Sequence, residues 1–298
     1  MPTELTESVV RQIARNPEEK GMKRIDAHQH FWIYNQNDYV WMGEEHGTLR
    51  RDFTPRDLAP LLDNIEFDGS VAVQARQLVE ETEWLLELAD TDERVMGVVG
   101  WIDLRSNDVH SQIDRFSPHP KLRGVRHVVH DEPDDDFMLR SDFRRGLALL
   151  EPAGLTYDFL LFPKHLSRAL TIADEFPNQR FVVDHIAKPF IRDGVMSPWD
   201  GEMREIARRD NVMCKLSGMV TEAATEWTAA DFVPYIDVMM EAFGPARLMI
   251  GSDWPVSTIA GEYPAVMEIV LDYIRRLSES EQAAVSGDTC ERFYGIVG

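Results

Sequence analysis

The sequence predicts an α/β protein, a (β/α)8 TIM barrel in a single domain with a short N-terminal extension, and three observations predict it. Short apolar runs rich in β-branched residues alternate with longer segments of helical spacing, a pattern typical of parallel βα units. There are eight such runs, and the 298 residues of the chain suit a fold that typically takes about 250. No GxGxxG or GxxxxGKS/T phosphate loop occurs, which disfavours the alternative, a doubly wound open sheet.

The eight apolar runs are the predicted strands. They span residues 22–28, 70–75, 96–102, 122–129, 155–161, 180–185, 211–217 and 247–253. Active sites of such barrels lie at the C-terminal ends of the strands. Polar residues that end these runs are therefore the first candidates for function.

Helical spacing predicts the connections between the strands. Thr54 and Pro55 indicate the start of the first helix, because Thr is a good N-cap and Pro suits the first turn. The other predicted helices span residues 80–90, 141–154, 164–176, 202–210, 231–244 and 263–277. Residues 103–120 carry the weakest helical pattern. Residues 286–294 predict a short final helix packed on the outside of the barrel.

Charge and hydropathy limit the partners of the chain. It carries 31 Lys+Arg against 52 Asp+Glu, a formal net charge of −21, whereas nucleic acids and anionic membranes bind basic surfaces. No apolar run approaches the ~20 residues of a membrane-spanning helix. Neither a nucleic-acid partner nor a membrane partner is therefore expected.

The N-terminus and the cysteines indicate a cytoplasmic protein. Residues 1–21 are polar and charged, without the apolar core of a signal peptide, and are predicted as an arm or short helix ahead of a barrel spanning residues 22–298. Cys214 and Cys290 are too few for a disulfide framework and indicate reduced thiols.

Three of the predicted strands end in residues that carry chemistry. His28 and His30 end the first strand, and they point the same way because side chains alternate along a strand. His185 ends the sixth strand and Asp253 ends the eighth, where Gly251 leaves room beside the carboxylate. A buried charge is costly unless it has a partner. These four side chains therefore predict either a catalytic site or a metal cage.

The same residues carry a family resemblance. HxH on the first strand, His on the sixth and Asp on the eighth resemble the amidohydrolase superfamily. The strings IDAHQHFW, ETEWLLELAD, LRGVRHVVHDEPD, GLTYDFLLFPKHL, FVVDHIAKP, CKLSG and FGPARLMIGSDWPV resemble its sugar-lactone branch, which includes L-fuconolactonases, L-rhamnonolactonases and 2-pyrone-4,6-dicarboxylate lactonases. The resemblance implies a lactonase that hydrolyses an L-fucono-1,5-lactone-like or L-rhamnonolactone-like substrate to the aldonic acid.

Two departures from the superfamily concern the metal. The dinuclear members carry a bridging Lys or Glu on the fourth strand and a His on the fifth. Here residues 124–129 read GVRHVV, residues 155–158 read LTYD, and His165 comes too late. We therefore expect at most one ion, zinc, held by some of His28, His30, His185 and Asp253. The resemblance also implies that lactonases of this branch work without a metal, so both possibilities stay open.

Lactone hydrolysis needs an activated water, a polarised carbonyl and a proton for the leaving alkoxide. Asp253 is predicted to be the general base, which takes a proton from water and passes it to the ring oxygen. The three histidines, or a metal that they hold, are predicted to polarise the carbonyl.

Further residues at the same strand ends are predicted to bind a polyhydroxylated or anionic substrate. They are Trp32, Arg76, Arg126, His127, His130, Tyr157, Lys188 and Trp254, with Lys215 as a further cation. The two tryptophans suit the wall of a sugar site, although rim packing explains them equally well. For each cation the alternative is a salt bridge to this acidic chain. Residues 131–136 are predicted to be a solvated acidic loop.

Two other functions remain open from the sequence. One is a zinc-dependent hydrolase or decarboxylase of an aromatic or dicarboxylic acid on the same barrel. The other is a carbohydrate binder without catalysis, which the joint presence of Asp253 and three histidines argues against. A screen of lactones separates all three.

Overall fold

The eight strands pair in chain order as one parallel sheet. The structure, a computed structural model, describes residues 22–39 and 41–296. The strands are β1 Ile25–Gln29, β2 Gly69–Val73, β3 Val95–Gly100, β4 Leu122–Val128, β5 Thr156–Leu160, β6 Phe181–Val183, β7 Val212–Leu216 and β8 Leu248–Ile250. The sheet closes beside β1 and β8, where His30 N donates to Trp254 O at 2.7 Å and Asp253 N donates to His28 O at 2.8 Å. The predicted (β/α)8 barrel is confirmed.

Helices surround this sheet. They are α1 Pro55–Asn64, α2 Val79–Thr91, α3 Val109–Phe116, α4 Ser141–Leu147, α5 Leu166–Glu175, α6 Trp199–Ile206, α7 Ala229–Phe243, α8 Tyr263–Ile274, α9 Glu279–Ala283 and α10 Thr289–Tyr294. The predicted start of α1 is confirmed, since Thr54 and Asp57 form a capping box there. The α4 helix ends earlier than predicted, because Pro152 and the left-handed Gly154 follow it and turns replace the last helical residues.

The apolar interior consists of two clusters. The larger lies between the strands and the ring of helices. The smaller fills the end of the barrel opposite the strand C-termini, where Ile25, Val71 and Val182 pack against α10. The described helices include none long and apolar enough to cross a membrane. The predicted arm, residues 1–21, lies outside the described residues.

The position of the last helix corrects a prediction. Residues 286–294 were expected to pack on the outside, but α10 closes the lower end of the barrel, which is the end opposite the strand C-termini. Cys290, Phe293 and Tyr294 are at most 2% exposed and pack against the interior cluster. Their i, i+3, i+4 spacing puts them on one helix face. Burying that face against the open end of the barrel removes apolar surface from water on both sides.

Candidate active site

A cavity of about 290 Å³ opens at the C-terminal ends of the strands. Its lining residues are His30, Trp32, Trp41, Ala75, Arg126, Val128, His130, Asp131, Leu160, His185, Lys188, Asp253 and Val256. The cavity therefore lies where the barrel fold predicts an active site.

Local backbone geometry brings the three histidines and Asp253 together. His28 and His30 lie on β1 or directly after it and share a face, because the strand is extended. Gly251 is required beside them, since a Cβ there would lie 2.8 Å from the Cβ of His28. Left-handed backbone at His185 (φ 53°) and Asp253 (φ 58°) turns both side chains into the cavity.

The left-handed backbone continues from His185 through Lys188, with φ between 47° and 58°. Such residues cost about 1–3 kcal/mol each and persist only where the surroundings hold them. Two contacts hold this turn: Trp199 Nε1 donates to Ile186 O at 2.7 Å, and Lys188 N donates to His185 O at 2.8 Å. Backbone strain is thus concentrated at the floor of the cavity.

The Asp253 carboxylate is the acceptor on which the imidazoles converge. Its Oδ1 lies 3.2 Å from His30 Nε2, 3.8 Å from His185 Nε2 and 3.9 Å from His28 Nε2. Burial by itself raises the pKa of Asp253, but the interactions with His185 and His30 outweigh it and lower the pKa to about 2. Burial also lowers the pKa of His28 and His185 well below the ordinary value. At neutral pH the site therefore holds an ionised carboxylate beside at least two neutral imidazoles.

Arg126 joins the floor of the cavity to the buried residues below. Its Nη2 donates to Gln74 O at 2.5 Å and to Gln74 Oε1 at 2.8 Å, and its Nη1 donates to Asp184 Oδ2 at 3.2 Å. The same Nη1 lies 3.2 Å from His28 Nε2. The other ring nitrogen, Nδ1, lies 3.2 Å from the Lys215 ammonium and 3.2 Å from Asp184 Oδ1, so each nitrogen of His28 faces a cation.

The donor set at the floor of the cavity fits one metal ion. His30 Nδ1 donates to Val73 O at 2.8 Å, and its Nε2 lies 3.2 Å from Asp253 Oδ1. His28, His185 and Asp253 also offer ligand atoms that lie within 4.8 Å of one another. Zinc prefers such nitrogen and oxygen ligands.

A bound zinc ion would polarise a carbonyl oxygen or lower the pKa of a water. His28, His185 and Asp253 would hold it, with His30 beside them. The described part of the chain contains no second group of three such ligands. Two cations flank the His28 ring, with Arg126 Nη1 3.2 Å from Nε2 and Lys215 Nζ 3.2 Å from Nδ1.

The sequence profile of the amidohydrolase family matches residues 25–296 of this chain. The chain belongs to the amidohydrolase family. It is 39% identical over 290 residues to an L-fucono-1,5-lactonase of Burkholderia multivorans, with 93% of this chain and 97% of the relative covered. An L-fucono-1,5-lactonase of Burkholderia ambifaria is 38% identical over 272 residues, with 91% and 89% covered.

Solved structures agree with this family membership. A crystal structure of an amidohydrolase from Burkholderia multivorans with bound zinc matches with a TM-score of 0.89 at 39% identity, covering 92% of this chain and all of the other. A protein of Acinetobacter baumannii described as a probable 2-pyrone-4,6-dicarboxylic acid hydrolase matches with a TM-score of 0.75, and the match covers 92% of this chain and all of the other. At 17% identity the second likeness shows the fold alone.

We expect one zinc ion per chain at saturation, because one ligand group is present among the described residues. The check is elemental analysis after incubation with zinc and gel filtration. His185→Gln removes one ligand and should reduce the bound zinc to a trace. The control is His119→Gln, which changes a histidine near Asp90 on the surface and should retain one ion. Two stoichiometric ions in the purified protein would contradict this expectation.

The cavity contains four of the eight residues predicted to bind substrate. Trp32, Arg126, His130 and Lys188 line it. Trp32 is fixed by its Nε1, which donates to Arg51 O at 2.9 Å. Lys188 forms an ion pair with Glu222 at 2.8 Å. The His130 ring stacks on the ring of Phe162.

The prediction for His127 and Tyr157 is corrected by the alternation of side chains along a strand. Arg126 faces the cavity, so its neighbour His127 faces outward, where Nε2 lies 2.7 Å from Glu132 and the ring stacks on Phe137. Tyr157 likewise faces the helix layer, because the next residue on β5 points into the barrel. Neither side chain lines the cavity.

Arg76 and Trp254 also lie outside the cavity lining. Arg76 makes the salt bridges that the alternative interpretation predicted, at 2.7 Å to Asp38 and 3.4 Å to Glu81. Trp254 is 2% exposed and packs edge-on against Phe53 with ring centroids 5.2 Å apart. Burial of the indole in this aromatic cluster explains why it does not form a wall of the site.

Several residues of the site were not found from the sequence. Trp41 lies in the irregular segment after β1, where no periodicity marks it. Asp184 was passed over, although it directly precedes His185. Asp131 lines the cavity. Most of the acidic loop after it is exposed, as predicted, with surface ion pairs at Asp135 (2.6 Å) and Asp136 (2.8 Å). The cations of these two pairs lie at or just before the start of α5, outside the loop, so no local pattern indicated the pairs.

Proposed function

We propose that this chain hydrolyses a six-carbon sugar-acid lactone, with L-fucono-1,5-lactone as the first substrate, to the aldonic acid. The observation that carries the proposal is the ionised Asp253 carboxylate among the imidazoles of a cavity of one-ring size. It stands in a chain 38–39% identical to two L-fucono-1,5-lactonases over more than nine-tenths of its length.

The proposed chemistry uses one proton transfer in each direction. Asp253 accepts a proton from water, and the resulting hydroxide attacks the lactone carbonyl. The positive charge of the Arg126 guanidinium, which lines the cavity, stabilises the oxyanion that forms. As the ring opens, the carboxylic acid of Asp253 returns its proton to the ring oxygen, which leaves as a hydroxyl.

The walls of the cavity suit a small sugar. A volume of about 290 Å³ is at the low end for small-molecule sites, so one ring fits better than an oligosaccharide. Trp32, Val128, Leu160 and Val256 provide apolar surface, and Lys188 with His130 and Asp131 provides donors and acceptors. A partly apolar, partly polar wall matches a sugar ring, which has both kinds of face.

Three finer statements belong to the same proposal. We propose zinc as the ion, because the donor set suits it and a zinc-bound amidohydrolase structure is similar to this chain. L-Rhamnonolactone is the second sugar proposed. A cytoplasmic location remains a prediction, based on the two cysteines, which are free and buried.

The test of the function is a lactone panel. Six-carbon aldonolactones should be hydrolysed at least ~10²-fold faster, by kcat/KM, than δ-valerolactone, because donors built for hydroxyls are left unpaired by a bare ring. A pH-indicator assay measures the acid released. A preference for the bare lactone would overturn the sugar assignment, and no activity on any lactone would overturn the function.

A further inference from the structure

A buried charged cluster lies beneath the cavity, out of reach of a substrate. Lys215 on β7, Asp158 on β5 and Asp184 after β6 are all 0% exposed, and none of them lines the cavity. The Lys215 ammonium lies 2.6 Å from Asp158 Oδ2 and 3.0 Å from Asp184 Oδ1. Burial by itself lowers the pKa of Lys215, but the two carboxylates raise it overall, so the amine stays charged.

The C-terminal helix α10 supplies the lower end of this cluster. The Tyr294 hydroxyl donates to Asp158 Oδ2 at 2.7 Å, across 136 residues of sequence. The Tyr294 ring lies beneath the Lys215 ammonium, with 5.4 Å between Nζ and the ring centroid. Asp158 Oδ1 has no hydrogen-bond partner in the part of the chain that the structure describes. Tyr294 and Lys215 are therefore the two side chains that hold this carboxylate.

The upper end of the cluster is His28. Its Nδ1 lies 3.2 Å from Lys215 Nζ and 3.2 Å from Asp184 Oδ1, and the same carboxylate oxygen forms an ion pair with Lys215 at 3.0 Å. Contacts between polar groups thus run from Tyr294 through Asp158 and Lys215 to the imidazole, with Asp184 beside both Lys215 and His28. In such a series each group is placed by its neighbours, and low polarity strengthens every bond.

We propose that Tyr294 is a positioning residue of the active site, which fixes the His28 imidazole through Asp158, Lys215 and Asp184. The closing helix at one end of the barrel is then part of the machinery at the other end. Without the hydroxyl, Lys215 is the one side chain that still holds the Asp158 carboxylate. The ammonium therefore moves toward Asp158 and away from Asp184. The imidazole loses its fixed partner in consequence.

The experiment compares Tyr294→Phe with Tyr273→Phe in the full-length protein. Both changes remove a tyrosine hydroxyl that donates to an aspartate, but Tyr273 bonds Asp237 at 2.5 Å on the outer helix α8. The first readout is the ¹H–¹⁵N spectrum of the histidine rings, with His28 assigned by means of His28→Gln. The ring signals of His28 should move in Tyr294→Phe and stay in place in Tyr273→Phe.

The second readout is lactone hydrolysis, and this arm rests on the proposed function. Tyr294→Phe should lower kcat about tenfold and leave KM nearly unchanged, as loss of an outer partner of a site residue does. If the unaltered protein hydrolyses no lactone, the proposed function fails while the spectrum still decides the role of Tyr294.

A second variant covers the case in which Tyr294→Phe does not fold. Asp158→Asn keeps the shape of the side chain and removes the charge that holds Lys215, so it should move the same His28 signals. Folded variants whose His28 signals and kcat equal those of the unaltered protein would overturn the proposal and leave Tyr294 a packing residue.

Discussion

Asp253→Asn is expected to lower kcat for lactone hydrolysis about 10³-fold, within the range that a lost general base costs. The amide keeps the shape of the side chain but cannot accept the proton of the attacking water. The loss should be large because Asp253 is the carboxylate in the cavity lining on which the imidazoles converge, with Oδ1 3.2 Å from His30. Initial rates with L-fucono-1,5-lactone at saturation measure the effect.

The control is Asp174→Asn, which makes the same chemical change at a surface salt bridge to Arg209. A surface pair contributes at most about 1 kcal/mol, so this variant should keep its full kcat. Circular dichroism establishes that both variants are folded. A folded Asp253→Asn protein with near-normal turnover would remove Asp253 from the role of base.

Arg126→Lys is expected to lower kcat/KM by 10²–10³-fold, roughly the cost of losing one fixed electrostatic stabiliser of the oxyanion. The change keeps the positive charge and removes the planar fork. The guanidinium donates to two oxygen atoms of Gln74, and its Nη1 contacts Asp184 and His28. A single ammonium cannot reach all of these acceptors, so the charge no longer has a fixed position in the cavity.

Arg105→Lys is the matched control, since Arg105 lies on the surface and pairs with Asp142 at 3.4 Å. It should behave as the unaltered protein does. A comparison of hydroxylated and bare lactones separates two roles of Arg126. A lower kcat/KM on both classes of lactone indicates oxyanion stabilisation. A lower kcat/KM on hydroxylated lactones alone indicates substrate binding. Full activity of Arg126→Lys on both would contradict either role.

The barrel could be predicted from the sequence because its strands are marked by a local property. A strand of a parallel barrel is buried on both faces, so it reads as a short run of apolar residues, and all eight runs became strands. The shared orientation of His28 and His30 could likewise be predicted locally, since two residues on one face of a strand point the same way. The same rule, applied strictly beside Arg126, would have placed His127 outside the cavity.

Other features had no local signal. The apolar face of α10 is visible in the sequence. Whether it covers the wall or the end of the barrel depends on which surface the helix meets in the folded protein. The left-handed turns at His185 and Asp253 occur at residues that usually avoid such backbone, so no propensity indicates them. Trp254 and Tyr157 carry the right chemistry for a sugar site and are directed elsewhere by packing.

The sequence by itself therefore determined the order of strands and helices, the strand ends at which the cavity opens, and the choice of Asp253 as the candidate base. The tertiary structure decided which polar residues meet. His28, Asp158, Lys215 and Tyr294 come from distant parts of the chain and touch only because the barrel closes and α10 enters its lower end. The physical reason is that residue spacing encodes the direction of a side chain relative to its own strand or helix. The partner that the side chain contacts is set by long-range packing, which a short repeat in the sequence cannot indicate.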